Sequence, residues 1–327
     1  MKVVVTGGAG FIGSHYVRSL CSGEYPAWAG AEVVVLDALT YAGHRSNLAP
    51  VEGKFTWAVG DISDRAFVDD VLAGSDVVVH FAAESHVDRS ITGADVFVRT
   101  NVLGTQTLLD STRANGVGRF VHVSTDEVYG SISEGSWPET DPLQPNSPYA
   151  ASKASSDLFV RAAFRTHKLD TVITRCSNNY GHNQTPEKVI PLFVTNLLDG
   201  LTVPLYGEGL NVRDWLHVDD HCRGIQLVAE GGRAGEVYNI GGGTELTNKE
   251  LTEKLLEACG ADWSSVRHVE DRKGHDLRYS VDISKIADEL GYAPQVKFED
   301  GLAQTVDWYR ERRDWWEPLK AELVPAR

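Results

Sequence analysis

Two carboxylates stand side by side at Asp126 and Glu127, directly after the apolar run VHVST at residues 121–125. Adjacent acids are residue types of acid–base chemistry, but a surface turn after a strand would also place them there. On a continuing strand, neighbouring side chains point to opposite faces, so one acid would face solvent and the other a core. What surrounds the pair decides between these possibilities. Tyr149 and Lys153 follow in SPYAASKASSD, four residues apart and therefore on one face of a helix. An ammonium beside a phenol favours the phenolate and lowers the tyrosine pKa from its usual value of about 10. Near the start of the chain, Gly7, Gly10 and Gly13 form a GxxGxxG pattern after the run VVV. Such glycines permit a tight turn and bring backbone amides close to a pyrophosphate at a helix N-terminus.

The elements that must position these residues alternate. KVVVT predicts a buried strand, a glycine turn and then a helix, with Phe11 and Ile12 opening that helix. EVVVLDALTYAG predicts a second strand ending in Asp37, an acid placed to hydrogen-bond an adenosine ribose and to repel the 2′-phosphate of NADP. The interval from the glycines is longer than usual, and GEYPAWAG at 23–30 accounts for it as an inserted loop. VGDISD follows a third strand and offers Asp61 and Ile62 as adenine contacts; SDVVVHFAAES is a fourth strand, running into Ala82, Ala83 and Ser85. Strands alternating with helical patterns predict a doubly wound parallel sheet of Rossmann type. Ligands of such sheets bind beyond the C-terminal strand ends, where Asp126 and Glu127 stand. Ser147 is a good N-cap and Pro148 suits the first helical position, so a helix carrying Tyr149 starts there.

Bulk composition narrows the class. A chain of 327 residues that is 42% hydrophobic is globular. No apolar run approaches the ~20 residues of a membrane span, and the apolar stretch before the first glycines is too short for a signal peptide. Cys21, Cys176, Cys222 and Cys259 lack CxxC spacing and read as reduced thiols of a cytoplasmic protein. A formal charge of −15 argues against broad nucleic-acid or membrane binding, though a few arginines could still hold an anionic small molecule. His80, His86, His122, His217 and His221 lack metal-ligand spacing and read as structural, so no metal is expected.

With TGGAGFIGSH, HFAAESHVDRS, HVSTDEVYG, SPYAASKASSD, NNYG, PEKVIPLF, NVRDWLHVDDH and DRKGHDLRYS, nearly the whole chain resembles the extended short-chain dehydrogenase/reductases, and within them the nucleotide-sugar 4,6-dehydratases. The resemblance implies a Rossmann domain for NAD at 1–180 plus 213–241 and a smaller nucleotide-sugar domain at 181–212 plus 242–327. Within the first, the segment VRDWLHVDDHCRGI would return to the main sheet. It also implies roles. Tyr149 would deprotonate the sugar 4-hydroxyl, Lys153 would lower its pKa and hold the nicotinamide ribose, and Thr125 would hydrogen-bond the same hydroxyl. Asp126 would be the general acid and Glu127 the general base of an elimination, the strand breaking into a helical turn so that both reach one sugar. Asp126 would have to stay protonated near neutral pH, which burial and a neighbouring carboxylate favour.

For the substrate, a dTDP-hexose, the resemblance places Asn178, Arg213, Asn248 and Arg272 near the diphosphate, with Lys188 and His275 nearby. Ser85 would contact the glucosyl ring, and Tyr206 and Leu192 would flank the base. A homodimer is implied, built on the helices after Asn101 and around Tyr149. The chain departs from the family at His182 and Asn183, where proline and an aromatic are usual, and at His44, where asparagine is common. The first departure is expected near the substrate side, with His182 facing solvent. Trp315 and Trp316 are expected to be packing aromatics. A nucleotide-sugar 4-epimerase or decarboxylase would share the fold but lack the acid pair, and a non-catalytic NAD sensor would not need an intact Thr125, Tyr149 and Lys153.

Overall fold

A computed structural model describes residues 1–271 and 274–323. Its strands in chain order are β1 (Lys2–Thr6), β2 (Glu32–Asp37), β3 (Thr56–Val59), β4 (Val77–His80), β5 (Arg119–Thr125), β6 (Thr171–Cys176), β7 (Asn178–Tyr180), β8 (Val203–Tyr206), β9 (Val212–His217), β10 (Val237–Ile240), β11 (Glu245–Thr247) and β12 (Val266–Val269). Seven of them form one parallel sheet in the order β10-β6-β5-β4-β1-β2-β3. Chain order reverses beside β1, which puts a crevice at the carboxyl ends of β1 and β4. The central strands are apolar on both faces because both are covered. One face packs on the helices Phe11–Ser22 and Val218–Gly231, through Tyr16, Val17, Cys222 and Ile225. The other packs on Arg65–Leu72, Thr105–Asn115 and Pro148–His167, through Val68, Leu108 and Val160.

A third core lies outside the main sheet and gathers Phe193, Trp215, Leu251, Leu302, Tyr309 and Trp316. It is built on the helices Val189–Leu198, Asn248–Cys259 and Phe298–Glu311 and on two small sheets, β11-β9-β7 and β12-β8. Strand β9 does not return to the main sheet as expected. Its register runs parallel to β7 and antiparallel to β11, while Leu216 near its end and the helix after it pack on the main sheet. β5 and β10 occupy both edges of β6, and β9 takes β7 and β11 as its two partners instead of the outer edge of β10.

Trp315 and Trp316 pack as expected. Both are buried, and their indole nitrogens donate to Asn47 Oδ1 at 2.9 Å and to the Tyr309 carbonyl at 2.6 Å. His182 differs from the expectation. Its Nε2 lies 3.0 Å from Arg18 Nη2 and its ring packs between His15 and Trp308. Burial, then the Arg18 charge, pushes its pKa down to about 3. Asn183 is buried at φ 64° and donates to Asn47. Both residues face the first helix and the C-terminal core, not a ligand cavity. Among the described residues no helix is long and apolar enough to cross a membrane.

Candidate active site

β5 ends at Thr125, and the chain turns at once into a 3₁₀ helix, Asp126–Tyr129. Thr125 caps that turn by accepting from the Glu127 N–H at 3.3 Å, while its hydroxyl donates to Asp126 Oδ1 at 3.3 Å. The turn cancels strand alternation, so the two acids no longer point to opposite faces. Opposite them, the helix Pro148–His167 starts where the sequence predicts, with Ser147 accepting from Ala150 N–H at 3.1 Å and proline at its first position. That start buries Tyr149 and Lys153 against the end of β5. Lys153 Nζ donates to the Val123 carbonyl at 2.8 Å.

Two cavities meet here. The larger, of about 640 Å³, runs over the C-terminal ends of the main sheet. Gly7, Gly10, Phe11, Ile12 and Gly13 line it, as do Asp37, Asp61 and Ile62. Ala82, Ala83, Thr125, Asp126, Tyr149 and Lys153 form its far side. The smaller, of about 210 Å³, is lined by Leu192, Tyr206, Arg213, Asn248 and His275. Ser85, Glu127, Asn178 and Lys188 line both, so Glu127 stands at the junction. Arg272 lies outside the described residues.

The first cavity suits a dinucleotide. Gly7 has φ 66°, and a Cβ there would stand 2.6 Å from the Ala82 nitrogen; one on Gly13 would stand 2.2 Å from the Gly7 carbonyl oxygen. Side chains are therefore excluded where a pyrophosphate must approach backbone. Asp37 is buried at the end of β2, its carboxylate accepting from Ala9 and Leu39 N–H groups at 2.9 and 2.8 Å. Burial raises its pKa.

Electrostatics separate the acid–base groups. Burial, then Glu127 and Asp214, raises the Asp126 pKa well above the usual carboxylate range, against the opposing pull of Arg213. Its Oδ2 is buried with no partner among the described residues, an arrangement costly for an anion and mild for an acid holding its proton. Tyr149 departs from the expectation. Burial, then Glu127, raises the phenol well above its ordinary value, and only its hydrogen bond with Thr125 works the other way. Burial lowers Lys153 to about 8, opposed by Asp157 one helical turn on. Asp157 itself resists burial because Arg175, 2.9 Å away, and His122 hold it down to about 2.

On the smaller cavity, Arg213 is buried, donates to the Val212 and Asp276 carbonyls at 2.7 and 2.9 Å, and lies over the Tyr279 ring at 4.3 Å. Lys188 Nζ donates to the Ser85 carbonyl at 2.7 Å. His86 lines this cavity, with Nε2 3.9 Å from Glu187, which also pairs with Arg89 at 2.9 Å. Asp276 and Tyr279 line it too. No spacing rule marks them, although DRKGHDLRYS holds both. Of the other histidines, His122 pairs with Asp157 at 3.3 Å and His217 with Asp219 at 3.5 Å. Among the described residues no cluster of three such groups could hold a metal.

Residues 4–305 match the family model described as GDP-mannose 4,6 dehydratase. The chain belongs to that family. It is 61% identical to a dTDP-glucose 4,6-dehydratase of Streptomyces niveus over 98% of this chain and 96% of the relative. The solved structure of DesIV, a dTDP-glucose 4,6-dehydratase from Streptomyces venezuelae with NAD and dTDP bound, superposes with a TM-score of 0.97 at 68% identity, covering 98% of this chain and 100% of that one. A UDP-glucose 4-epimerase from Thermotoga maritima reaches 0.88 at 33% identity over 95% and 99%. Fold alone therefore does not separate dehydration from epimerisation, and the difference must lie in the side chains at the site.

Proposed function

We propose that this chain is an NAD-dependent hydro-lyase that converts dTDP-glucose to dTDP-4-keto-6-deoxyglucose. It oxidises carbon 4, removes water across carbons 5 and 6, and returns the hydride to carbon 6, a step of deoxysugar biosynthesis. The observation that carries this is the acid pair on the turn after β5, with Asp126 buried beside Glu127, which stands at the junction of the cavities, and its carboxyl pushed well above the usual range by that burial and that charge. An epimerase has no elimination for these groups to perform. The 4,6-dehydratases of high identity support the same reading.

In this scheme NAD supplies a hydride acceptor that is regenerated each turnover, together with the positive charge of its oxidised ring, which favours the Tyr149 phenolate. Tyr149 takes the 4-hydroxyl proton, with Thr125 holding that oxygen. The 4-ketone acidifies the proton on carbon 5, which Glu127 removes while Asp126 protonates the departing 6-hydroxyl. The glycine turn, Asp37, Asp61, Ile62, Ala82, Ala83 and Lys153 hold the cofactor. Arg213, Asn178, Asn248, Lys188 and His275 receive the diphosphate; Ser85 meets the glucosyl ring, and Leu192 and Tyr206 flank the base.

Residues 1–180 plus 213–241 serve NAD and the remainder serves the nucleotide sugar. The chain works in the cytoplasm as a homodimer. Support for the dimer comes from Leu103, Leu158 and Phe159, which are 52%, 56% and 41% exposed on the helical segments after Asn101 and around Tyr149. Sedimentation of the purified chain as a monomer would remove that part.

The reaction is tested with dTDP-glucose carrying deuterium on carbon 4. The label should reappear on carbon 6 of a 4-keto-6-deoxy product, within the same molecule. Label lost to solvent, or found on carbon 4 with inverted configuration, overturns the assignment.

A further inference from the structure

The carboxylate of Asp276 is buried yet has both oxygens in use. Oδ1 accepts from Asn146 Nδ2 at 2.6 Å and Oδ2 accepts from the Tyr279 hydroxyl at 2.7 Å. Its carbonyl oxygen accepts from Arg213 Nη2 at 2.9 Å and from Asn211 Nδ2 at 3.2 Å. Tyr279 lies under the Arg213 guanidinium, so the bond that orients the tyrosine also fixes the face on which the arginine rests. On its other side, Asn146 directly precedes Ser147, whose hydroxyl caps the helix carrying Tyr149. The same segment is strapped along the loop before that helix. Ile132 N–H donates to the Arg278 carbonyl at 3.1 Å, Trp137 N–H to the Ser280 carbonyl at 2.9 Å, and Ser136 and Ser280 hydroxyls meet at 2.7 Å. One carboxylate thus joins the wall of the smaller cavity to the start of the helix that bears the proposed base.

We propose that Asp276 is a positioning residue. Through Tyr279 and its own carbonyl it orients Arg213 for the substrate diphosphate, and through Asn146 it sets that grip at a fixed distance from Tyr149 and the acid pair. It touches no reacting atom in this role. The inference rests on the dehydratase reading for what is bound. The chain of contacts from Asn146 through Asp276 and Tyr279 to Arg213 is a property of the molecule itself. The two partners also show what an amide in its place would lose: asparagine can accept from one of them and must donate to the other, to the Tyr279 hydroxyl or to a flipped Asn146 amide, and it gives up the charge that strengthens both bonds.

The test uses the full chain with NAD bound and compares Asp276→Asn, Tyr279→Phe and the double variant. Binding of dTDP is measured by calorimetry, and turnover of dTDP-glucose is measured per NAD-loaded site. Losing a hydrogen bond to a charged group should weaken dTDP binding and raise KM about tenfold or more in Asp276→Asn. The double variant should bind no worse than Asp276→Asn alone, because both changes cut one path. The kcat should also fall, with reduced cofactor building up as the sugar sits wrongly against Asp126 and Glu127. A merely structural carboxylate would lower the melting temperature and the NAD-loaded fraction while leaving KM, kcat per loaded site and dTDP affinity unchanged; that outcome overturns the proposal. Independent, multiplying effects of the two single changes overturn it as well. Tyr279→Phe, which removes one hydroxyl, keeps the test decisive if Asp276→Asn does not fold. Wild-type enzyme that binds dTDP but yields no dehydrated sugar would instead sink the dehydratase reading, and the binding arms would still decide the role of Asp276.

Discussion

Burial, then the negative charges of Glu127 and Asp214, push the Asp126 carboxyl well above the usual carboxylate range. An acid whose folded-state pKa is raised stabilises the fold fully below its free value and loses that contribution as pH rises toward the folded value. Asparagine has no proton to hold. Asp126→Asn should therefore gain stability over the wild type by about 1.4 kcal/mol for each pH unit above about 4 until Asp126 ionises. Paired unfolding curves at several pH values check this, and a difference that does not grow with pH refutes it. The same change should reduce dehydrated product by a factor of about 100 or more, the usual scale for a positioned acid, while reduced cofactor still appears. Tyr149→Phe should show neither product nor reduced cofactor. If Asp126→Asn also abolishes cofactor reduction, Asp126 serves the oxidation and not the elimination.

Elements place these groups by their ends. The strand β5 stops at Thr125 because the next residues turn into a 3₁₀ helix capped by the threonine hydroxyl. The helix Pro148–His167 starts on a serine cap and a proline, both visible in the sequence. At the first strand the decisive feature is a glycine in the left-handed region. Gly7→Ala adds a Cβ that must move the Ala82 backbone, at 2.6 Å, and it forces a strained φ. Cofactor affinity should fall by at least tenfold, from a strain on the order of 1–2 kcal/mol plus the shift of the cavity wall. NAD retained through purification and its dissociation constant measure this. An unchanged constant would show that the turn does not shape the pyrophosphate site.

Across the whole molecule, several histidines are buried without charge. Burial lowers His122 to about 4, helped by Lys153, and lowers His182 and His221 to about 3. For a depressed histidine, the stability is present above the unfolded value of about 6.5 and is lost as pH falls toward the folded value. The fold should therefore weaken between about pH 6.5 and 4, with protons taken up on unfolding. Asp157, held near 2, adds a further loss below about pH 4. Asp126 acts in the opposite direction over this range, so the imidazole proton resonances are followed from pH 7 to pH 5 instead; rings that gain a proton above pH 5 would mean that they stay hydrated in solution.

What the sequence alone determined was local. Periodicity, glycine spacing and capping residues marked the strands, the dinucleotide turn and the helix of Tyr149, because those features depend on neighbours within a few positions. The composition of the acid pair was equally plain. Tertiary structure decided what depends on distant partners. Strand β9 paired with β7 and with β11, a segment about 30 residues further on, and not with the main sheet. His182 turned inward because Arg18, 164 residues away, offered it a hydrogen bond. The Tyr149 phenol rose instead of falling, since burial and Glu127 outweigh a lysine whose ammonium is turned to the Val123 carbonyl. Asp276 gained its place between Asn146 and Tyr279 only when the segment after residue 274 lay along the loop before the catalytic helix. Burial and long-range pairing set those energies, and no spacing in the chain encodes them.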